Sequence, residues 1–251
     1  MHLKVIACEV AAREIYHCAA RAVNSTDIQL FTQGLHDNSD TCRDTLQAQI
    51  DAVPPDQFQA TLLGYGLCNN AIVGLRAGPT RLVIPRAHDC ITFFLGSKER
   101  YAKIFTEHPG TYYYSSGWLE HTDRGGERIA YNQKSGLAKR MALQEMVDKY
   151  GEENAKFLFE SMGQWEVHYT HGCLIQFDFT RHLGLAENVH RICREKKWKY
   201  DELPGDLTLL QDWLDGKWDA ERFLVLEPGQ AVKARYDDTI IEAAESEERR
   251  C

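Results

Sequence analysis

Apolar runs of about four to six residues, each closed by turn residues, alternate with stretches of helical length along the first half of the chain. Val5-Ile6-Ala7 leads into Cys8-Glu9, and residues 11–22 have the length and composition of a helix. Ile28–Phe31 closes on Gly34-Leu35-His36, and a second helix is predicted from about Thr41 to Ala52, stopped by Pro54-Pro55. Ala60–Leu63 runs into Gly64-Tyr65-Gly66-Leu67-Cys68, and Arg81–Ile84 runs into Pro85-Arg86-Ala87-His88-Asp89-Cys90. Thr111–Tyr114 reads as one more strand, delivering Ser115, Ser116 and Trp118. This alternation predicts an α/β fold with mostly parallel strands flanked by helices.

Residues 134–162 read as helical, with apolar points at Leu137, Met141 and Met146. The strand and helix alternation then restarts with Leu174–Phe177, a helix at 185–197, Trp198–Tyr200, a helix at 206–214 and Phe223–Leu226. Strand starts near 5, 28 and 61 are echoed near 174, 198 and 223, which predicts two pseudo-repeated Rossmann-like half-domains. The expected organisation is residues 1–132 as the first half, 133–163 as a helical insertion, 164–236 as the second half, and 237–251 as a polar tail, solvated helix or frayed end.

Composition narrows the partners. A chain of 251 residues with 43% hydrophobic and 26% charged side chains can bury a full core, and its formal charge of −8 repels phosphate backbones and anionic lipid. Nucleic acid and membrane partners are not expected. No apolar run approaches the roughly 20 residues of a membrane span, and the N-terminal residues lack the zones of a signal peptide, so a cytoplasmic location is expected.

In a reducing compartment the eight cysteines are buried thiols, metal ligands or catalytic groups rather than structural disulfides. Cys18, Cys42 and Cys193 lie in helical text and read as small buried hydrophobes. Cys8, His36, Cys68, His88 and Cys90 differ, because each falls at or just after a strand end. If the strands are parallel, those ends share the edge where open α/β folds place their ligands. His88-Asp89-Cys90 is the sharpest local signal: a His and a Cys two apart on a loop can reach one metal, with Cys68 as a third ligand and a fourth position left open, as in catalytic zinc. No Cys-x-x-Cys occurs anywhere in the chain. A cysteine nucleophile activated by His88 is the competing reading, and buried structural thiols are the third. His171-Gly172-Cys173 repeats the His-x-Cys spacing, so Cys173 is a further candidate ligand beside its plain reading as a buried strand residue.

Other signatures are missing. Gly64-Tyr65-Gly66 lacks the third glycine of a dinucleotide loop, and neither a P-loop nor a Gly-x-Ser-x-Gly elbow is present. Glu9 and Asp89 are candidate acid-base groups or acceptors that orient His88, and Arg86 is a candidate clamp for a substrate carboxylate or phosphate. Tyr65, Gly66 and Ser115, each at the end of a strand, are the expected cofactor contacts, and Tyr112–Tyr114 with Trp118 are candidates for an apolar wall.

The segments Cys8-Glu9, Gly34-Leu35-His36-Asp37, Gly64-Tyr65-Gly66-Leu67-Cys68, Arg86-Ala87-His88-Asp89-Cys90-Ile91, Leu95-Gly96-Ser97 and Pro109-Gly110-Thr111-Tyr112-Tyr113 resemble the bacterial and archaeal family catalogued as domain of unknown function sixteen thirty-eight. Pro204-Gly205-Asp206-Leu207, Leu214-Asp215-Gly216 and Phe223-Leu224-Val225 resemble its closing segment, so the likeness covers nearly the whole chain. The resemblance implies a setting beside corrinoid-dependent methyltransferases in anaerobic one-carbon metabolism, with a corrinoid protein or methyltransferase as partner and a corrinoid contact as an expectation. Zinc methyltransferases that alkylate a thiol are similar in their His-x-Cys plus distant Cys ligands, though they are longer barrels; zinc there holds the substrate sulfur as thiolate. The first expectation is therefore a zinc-dependent enzyme of methyl transfer acting on a small molecule. The alternative takes Cys8, Cys68 and Cys90 as ligands of a [4Fe-4S] cluster acting as the Lewis acid of a lyase, similar in plan to iron-sulfur hydro-lyases. A non-catalytic accessory protein of a corrinoid system is the remaining class.

Overall fold

The computed structural model describes residues 1–68, 70–122, 152 and 168–245. In chain order its elements are β1 (His2–Cys8), α1 (Ala12–Ala19), β2 (Ser25–Phe31), α2 (Ser39–Asp51), β3 (Ala60–Gly64), β4 (Arg81–Pro85), α3 (Ile91–Leu95), α4 (Lys98–Glu107) and β5 (Thr111–Tyr114). They continue with α5 (Ser116–Thr122), β6 (His171–Gln176), α6 (Leu185–Lys196), β7 (Lys199–Pro204), α7 (Thr208–Asp215), β8 (Phe223–Leu226), β9 (Gln230–Ala234) and β10 (Ile241–Glu245). The fold is α/β, with a largely parallel main sheet flanked by helices. The chain forms two compact units, one drawn from Met1–Glu107 and Pro204–Cys251, the other from His108–Leu203.

The first unit is built on a five-stranded sheet in the order β2-β1-β3-β4-β8. Strands β2, β1, β3 and β4 run parallel, while β8 lies antiparallel to β4, pairing Val225 with Val83. Leu3, Val5, Ile6, Leu62, Leu63, Val83 and Ile84 are all buried, the near-continuous apolar text required of strands covered on both faces. Gly64 ends β3 because a Cβ there would lie 2.6 Å from that of Ala7 and 3.1 Å from the ring of Trp213. Trp213 of α7 is itself buried, and its indole N–H donates to the Val83 carbonyl at 3.3 Å. Helix α2 starts where the Asn38 side chain accepts from the Thr41 N–H at 2.9 Å, an N-cap of the usual kind.

The connection from β3 to β4 is long, and β9 holds it in place. Gly74 N–H donates to the Val232 carbonyl at 2.8 Å, Val232 N–H to Leu75 at 2.8 Å, and Ala77 N–H to Gln230 at 2.9 Å. Strand β10 closes an antiparallel hairpin with β9, pairing Ala243 with Val232. Residues 241–245, expected as a solvated helix or frayed tail, therefore form a strand whose backbone groups are satisfied by β9.

In the second unit the sheet order is β5-β6-β7, with β5 parallel to β6 and Tyr113 opposite Cys173. Tyr114, Leu174, Leu185, Val189 and Cys193 form its core, with Tyr112, Trp118 and Trp198 packed against it. Gly172 admits α6 closely, since a Cβ there would lie 2.5 Å from the Cys193 sulfur.

These pairings differ from the two half-domains expected above. Strand β5 pairs with β6 rather than joining the first sheet, and β8 leaves β6 and β7 to pair with β4, because strand partners are chosen by distant edges and not by order along the chain. The expected helical insertion at 133–163 lies outside the described residues, residue 152 excepted. No helix among the described residues is long and apolar enough to cross a membrane.

Candidate functional site

Three parallel strands of the first unit end in the candidate residues. Strand β1 delivers Cys8 and Glu9, β3 is followed by Tyr65, Gly66 and Cys68, and β4 by Arg86, His88, Asp89 and Cys90. Beyond their last paired residues the β3 and β4 segments stay hydrogen-bonded: Leu67 N–H donates to the Ala87 carbonyl at 2.8 Å, and Cys68 N–H to the His88 carbonyl at 2.9 Å. Gly66 makes this approach possible, because a Cβ there would stand 2.8 Å from the Asp89 Cα and 2.9 Å from its nitrogen.

Cys68 sits in this seam with φ 42°, a left-handed conformation that costs an L-residue about 1–2 kcal/mol, and Asn70 follows at φ 64°. The Cys68 carbonyl accepts from Ala71 N–H at 3.1 Å, which closes the turn. A non-glycine residue kept in this region at a strand end marks a position where the side chain matters more than backbone ease.

Cys8, Cys68 and Cys90 lie at or just beyond the ends of the adjacent strands β1, β3 and β4. Burial pushes the Cys68 thiol up to about 12, with further upward pressure from Asp89, Cys8 and Cys42 and relief from a backbone hydrogen bond of Gly66. Burial likewise raises Cys90 well above the usual thiol range, and Asp89, Cys68 and Cys8 add to it. Ionisation of one of these thiols would therefore oppose ionisation of the others. Cys8 is buried, whereas Cys68 and Cys90 keep some access to solvent. A cysteine that is to attack a substrate needs a thiol pKa lowered by a cation or helix end, and the surroundings here act in the opposite sense. Bound positive charge would reverse that pressure.

Among the described residues, no three His, Cys, Asp or Glu side chains are gathered to hold a single metal ion. The expected zinc set is not gathered among the described residues, and His88 is exposed and lines an open groove of about 630 Å3 with Leu67, Asn70, Arg235, Tyr236, Asp237 and Asp238. Asp89 does not orient His88 by a hydrogen bond; its Oδ1 accepts from Ile91 N–H at 2.9 Å and its Oδ2 from the Tyr101 hydroxyl at 3.1 Å. Burial raises the Asp89 carboxyl above its ordinary range despite these bonds and the nearby His88.

The remaining candidates divide plainly. Glu9 Oε1 accepts from Gln33 N–H at 2.8 Å and fastens the end of β1 to the segment after β2. Arg86 is committed to the fold: its Nε donates to the Ala220 carbonyl at 2.9 Å, and its Nη1 to the Thr239 carbonyl at 2.9 Å and to the Ile241 carbonyl. The expected substrate clamp is thus a tie between β4, the segment before β8 and the β9–β10 turn, and burial lowers its pKa. Ser115 and Cys173 belong to the second unit. Ser115 Oγ accepts from Trp118 N–H at 3.2 Å as a cap of α5, which accounts for the serine without a cofactor. Cys173 is 2% exposed within β6, and burial raises its thiol to about 12, ahead of Asp201, Glu202 and Cys193. It fits the plain reading of a buried strand residue.

Tyr65 is 2% exposed, and its buried hydroxyl has no hydrogen-bond partner among the described residues. Burial is the main cause that raises its pKa, followed by Cys8, Cys42, Cys68 and Glu9, so the phenol is within electrostatic reach of these cysteines. Two neighbours had no signal in the sequence reading. Cys42 reaches Tyr65 and Cys68 from the buried face of α2, and Tyr101 reaches Asp89 from α4. Only the helix phase of Cys42 could have pointed to it.

A family described as "Protein of unknown function (DUF1638)" matches residues 30–214, most of the chain, including Tyr65, Cys68, His88 and Cys90 but not Cys8. No curated protein and no solved structure matches the chain. By the extent of that match, the chain belongs to the DUF1638 family.

Proposed function

We propose that the chain is a metal-dependent enzyme whose centre is held by Cys8, Cys68 and Cys90, and that a [4Fe-4S] cluster is the form these residues suit best. The observation that carries the reading is the placement of three cysteines at the ends of three neighbouring parallel strands, with a buried tyrosine hydroxyl on the same edge that has no hydrogen-bond partner among the described residues. A single tetrahedral ion with bonds of about 2.3 Å would draw its sulfur ligands to roughly 3.8 Å from one another. A cluster that gives each cysteine its own iron spans more space, so it does not require the three sulfurs to be gathered on one point. Three cysteines leave one iron without a protein ligand, and the bound cluster would supply Lewis-acid chemistry to a hydroxyl or carboxylate of a small substrate. The groove bounded by Leu67, Asn70 and His88 opens beside the Cys68 loop and is the entry route in this reading. There His88 would contact substrate rather than metal.

Zinc remains the second reading, favoured by the 2.9 Å bond that brings the backbones of Cys68 and His88 together. A rotation of the His88 ring could then complete a set with Cys68 and Cys90, and methyl transfer to a thiol beside a corrinoid protein would be the reaction to assay. Both readings suit a reducing cytoplasm.

Elemental analysis and a visible spectrum of protein purified without oxygen test the proposal. Iron with sulfide and a broad band near about 400 nm support the cluster; about one zinc per chain without visible absorption supports zinc. Single replacements of Cys8, Cys68 and Cys90 by Ser should each lower bound metal. His88→Ala should retain iron in the first reading and lose zinc in the second. Full metal retention by all three cysteine variants would overturn the site.

A further inference from the structure

Buried hydroxyls normally find a partner, and leaving one unmade costs about 1–3 kcal/mol. Among the described residues the Tyr65 hydroxyl is such an exception, at the end of β3 and within electrostatic reach of Cys8, Cys42, Cys68 and Glu9. Phenylalanine would fill the same space without that cost. Glu9 is an adjacent acceptor, yet its Oε1 already takes the Gln33 N–H. What the surroundings of the phenol lack is an acceptor that arrives after folding. The sulfur of a cysteine that has given its proton to a metal centre is one, and a hydrogen bond to such a charged sulfur is stronger than one to a thiol.

We propose that Tyr65 is a positioning residue that donates its O–H to a sulfur of the centre held by Cys8, Cys68 and Cys90, fixing the ligand orientation and setting the potential of the centre. The inference rests on the three-cysteine reading and deepens it. A donated hydrogen bond offsets negative charge on the sulfur, which favours the reduced form of a cluster and holds the ligand against dissociation. Removal of the hydroxyl should therefore shift the midpoint potential to more negative values and weaken retention of iron, with no demand that any substrate be known.

The test uses the full chain reconstituted without oxygen with equal parts of ferric and ferrous iron and sulfide, in wild-type, Tyr65→Phe and Thr92→Val forms. Thr92 Oγ1 is another buried hydroxyl without a partner among the described residues, so its variant controls for loss of a hydroxyl as such. Expected for Tyr65→Phe are an assembled cluster, a more negative midpoint potential, and iron loss to a chelator about 10- to 100-fold easier than in the wild type; Thr92→Val should match the wild type. A Tyr65→Phe protein with wild-type potential and wild-type iron retention overturns the inference alone and leaves the cysteine centre standing. A wild-type chain that takes up no iron under these conditions overturns the centre and this inference together.

Discussion

Position 68 lends itself to a test that needs no metal. Cys68 is held at φ 42° between a bond to the His88 carbonyl and one from Ala71 N–H. An L-residue in that region carries about 1–2 kcal/mol of backbone cost that glycine avoids, while glycine ordinarily loses about 0.5–1 kcal/mol through the entropy of its unfolded chain. Cys68→Gly should thus be more stable than Cys68→Ala by roughly 0.5–1 kcal/mol, the reverse of the order at ordinary positions. Comparing two variants that both lack the sulfur cancels its burial and any ligand role. Urea unfolding of the reduced, metal-free variants measures the difference; in a chain of this size it corresponds to about 1–4 °C in Tm. An alanine variant more stable than the glycine variant by about 0.5 kcal/mol or more would refute the backbone argument. Both variants should bind less metal than the wild type, which separates what the backbone prefers from what the site requires.

Three further outcomes follow from the same geometry. Gly66→Ala should cost roughly 1–3 kcal/mol and lower metal retention, since its Cβ would meet the Asp89 backbone at 2.8 Å; unfolding midpoints within error of the wild type would contradict this. Arg86→Met should cost about 2–4 kcal/mol by leaving the carbonyls of Ala220, Thr239 and Ile241 without their donor, whereas a substrate clamp on the surface would cost almost nothing in urea unfolding. Asp237 is held down to about 2 by the Arg235 side chain and the Thr239 N–H, so the folded protein releases that proton more readily than the unfolded chain does. Its contribution is complete above the ordinary Asp value and fades as pH falls through about 2; Arg235→Ala should return the carboxyl titration, followed by NMR, towards the ordinary range.

Strands β1, β3 and β4 were legible in the sequence because buried parallel strands are written as unbroken apolar runs with turn residues at their ends. That alone carried Cys8, Cys68 and Cys90 to one edge. The direction of His88 was not legible, since His-x-Cys spacing describes reach along a strand or loop and the seam with Cys68 turns the ring towards the groove. Arg86 looked like a substrate clamp because its carbonyl partners lie 134 to 155 residues away. β5 and β8 were found as strands, while their sheets were decided by edges that no local pattern encodes. Strand β10 was hidden by its composition, in which Glu242 and Glu245 flank two alanines and only Ile241 is fully apolar and buried. Tyr65 was marked as a contact, but its missing partner is visible only once the fold surrounds it.

The hold that β9 keeps on the β3–β4 connection has a consequence for how the protein comes into being. Residues 74–77 wait for residues 230–232 before their backbone groups are paired, and Arg86 waits for Thr239 and Ile241. On a ribosome that adds about 5–20 residues per second, the loop beside Cys68 spends roughly ten seconds or more in the cell before its clasp emerges. Throughout that interval the edge strand β4 lacks β8 as well, so the nascent chain exposes an unpaired strand and three thiols together. Contacts of such long sequence separation also slow folding. If the proposed centre is correct, a metal offered before release of the chain would meet an unfinished socket, and loading would come late in biogenesis.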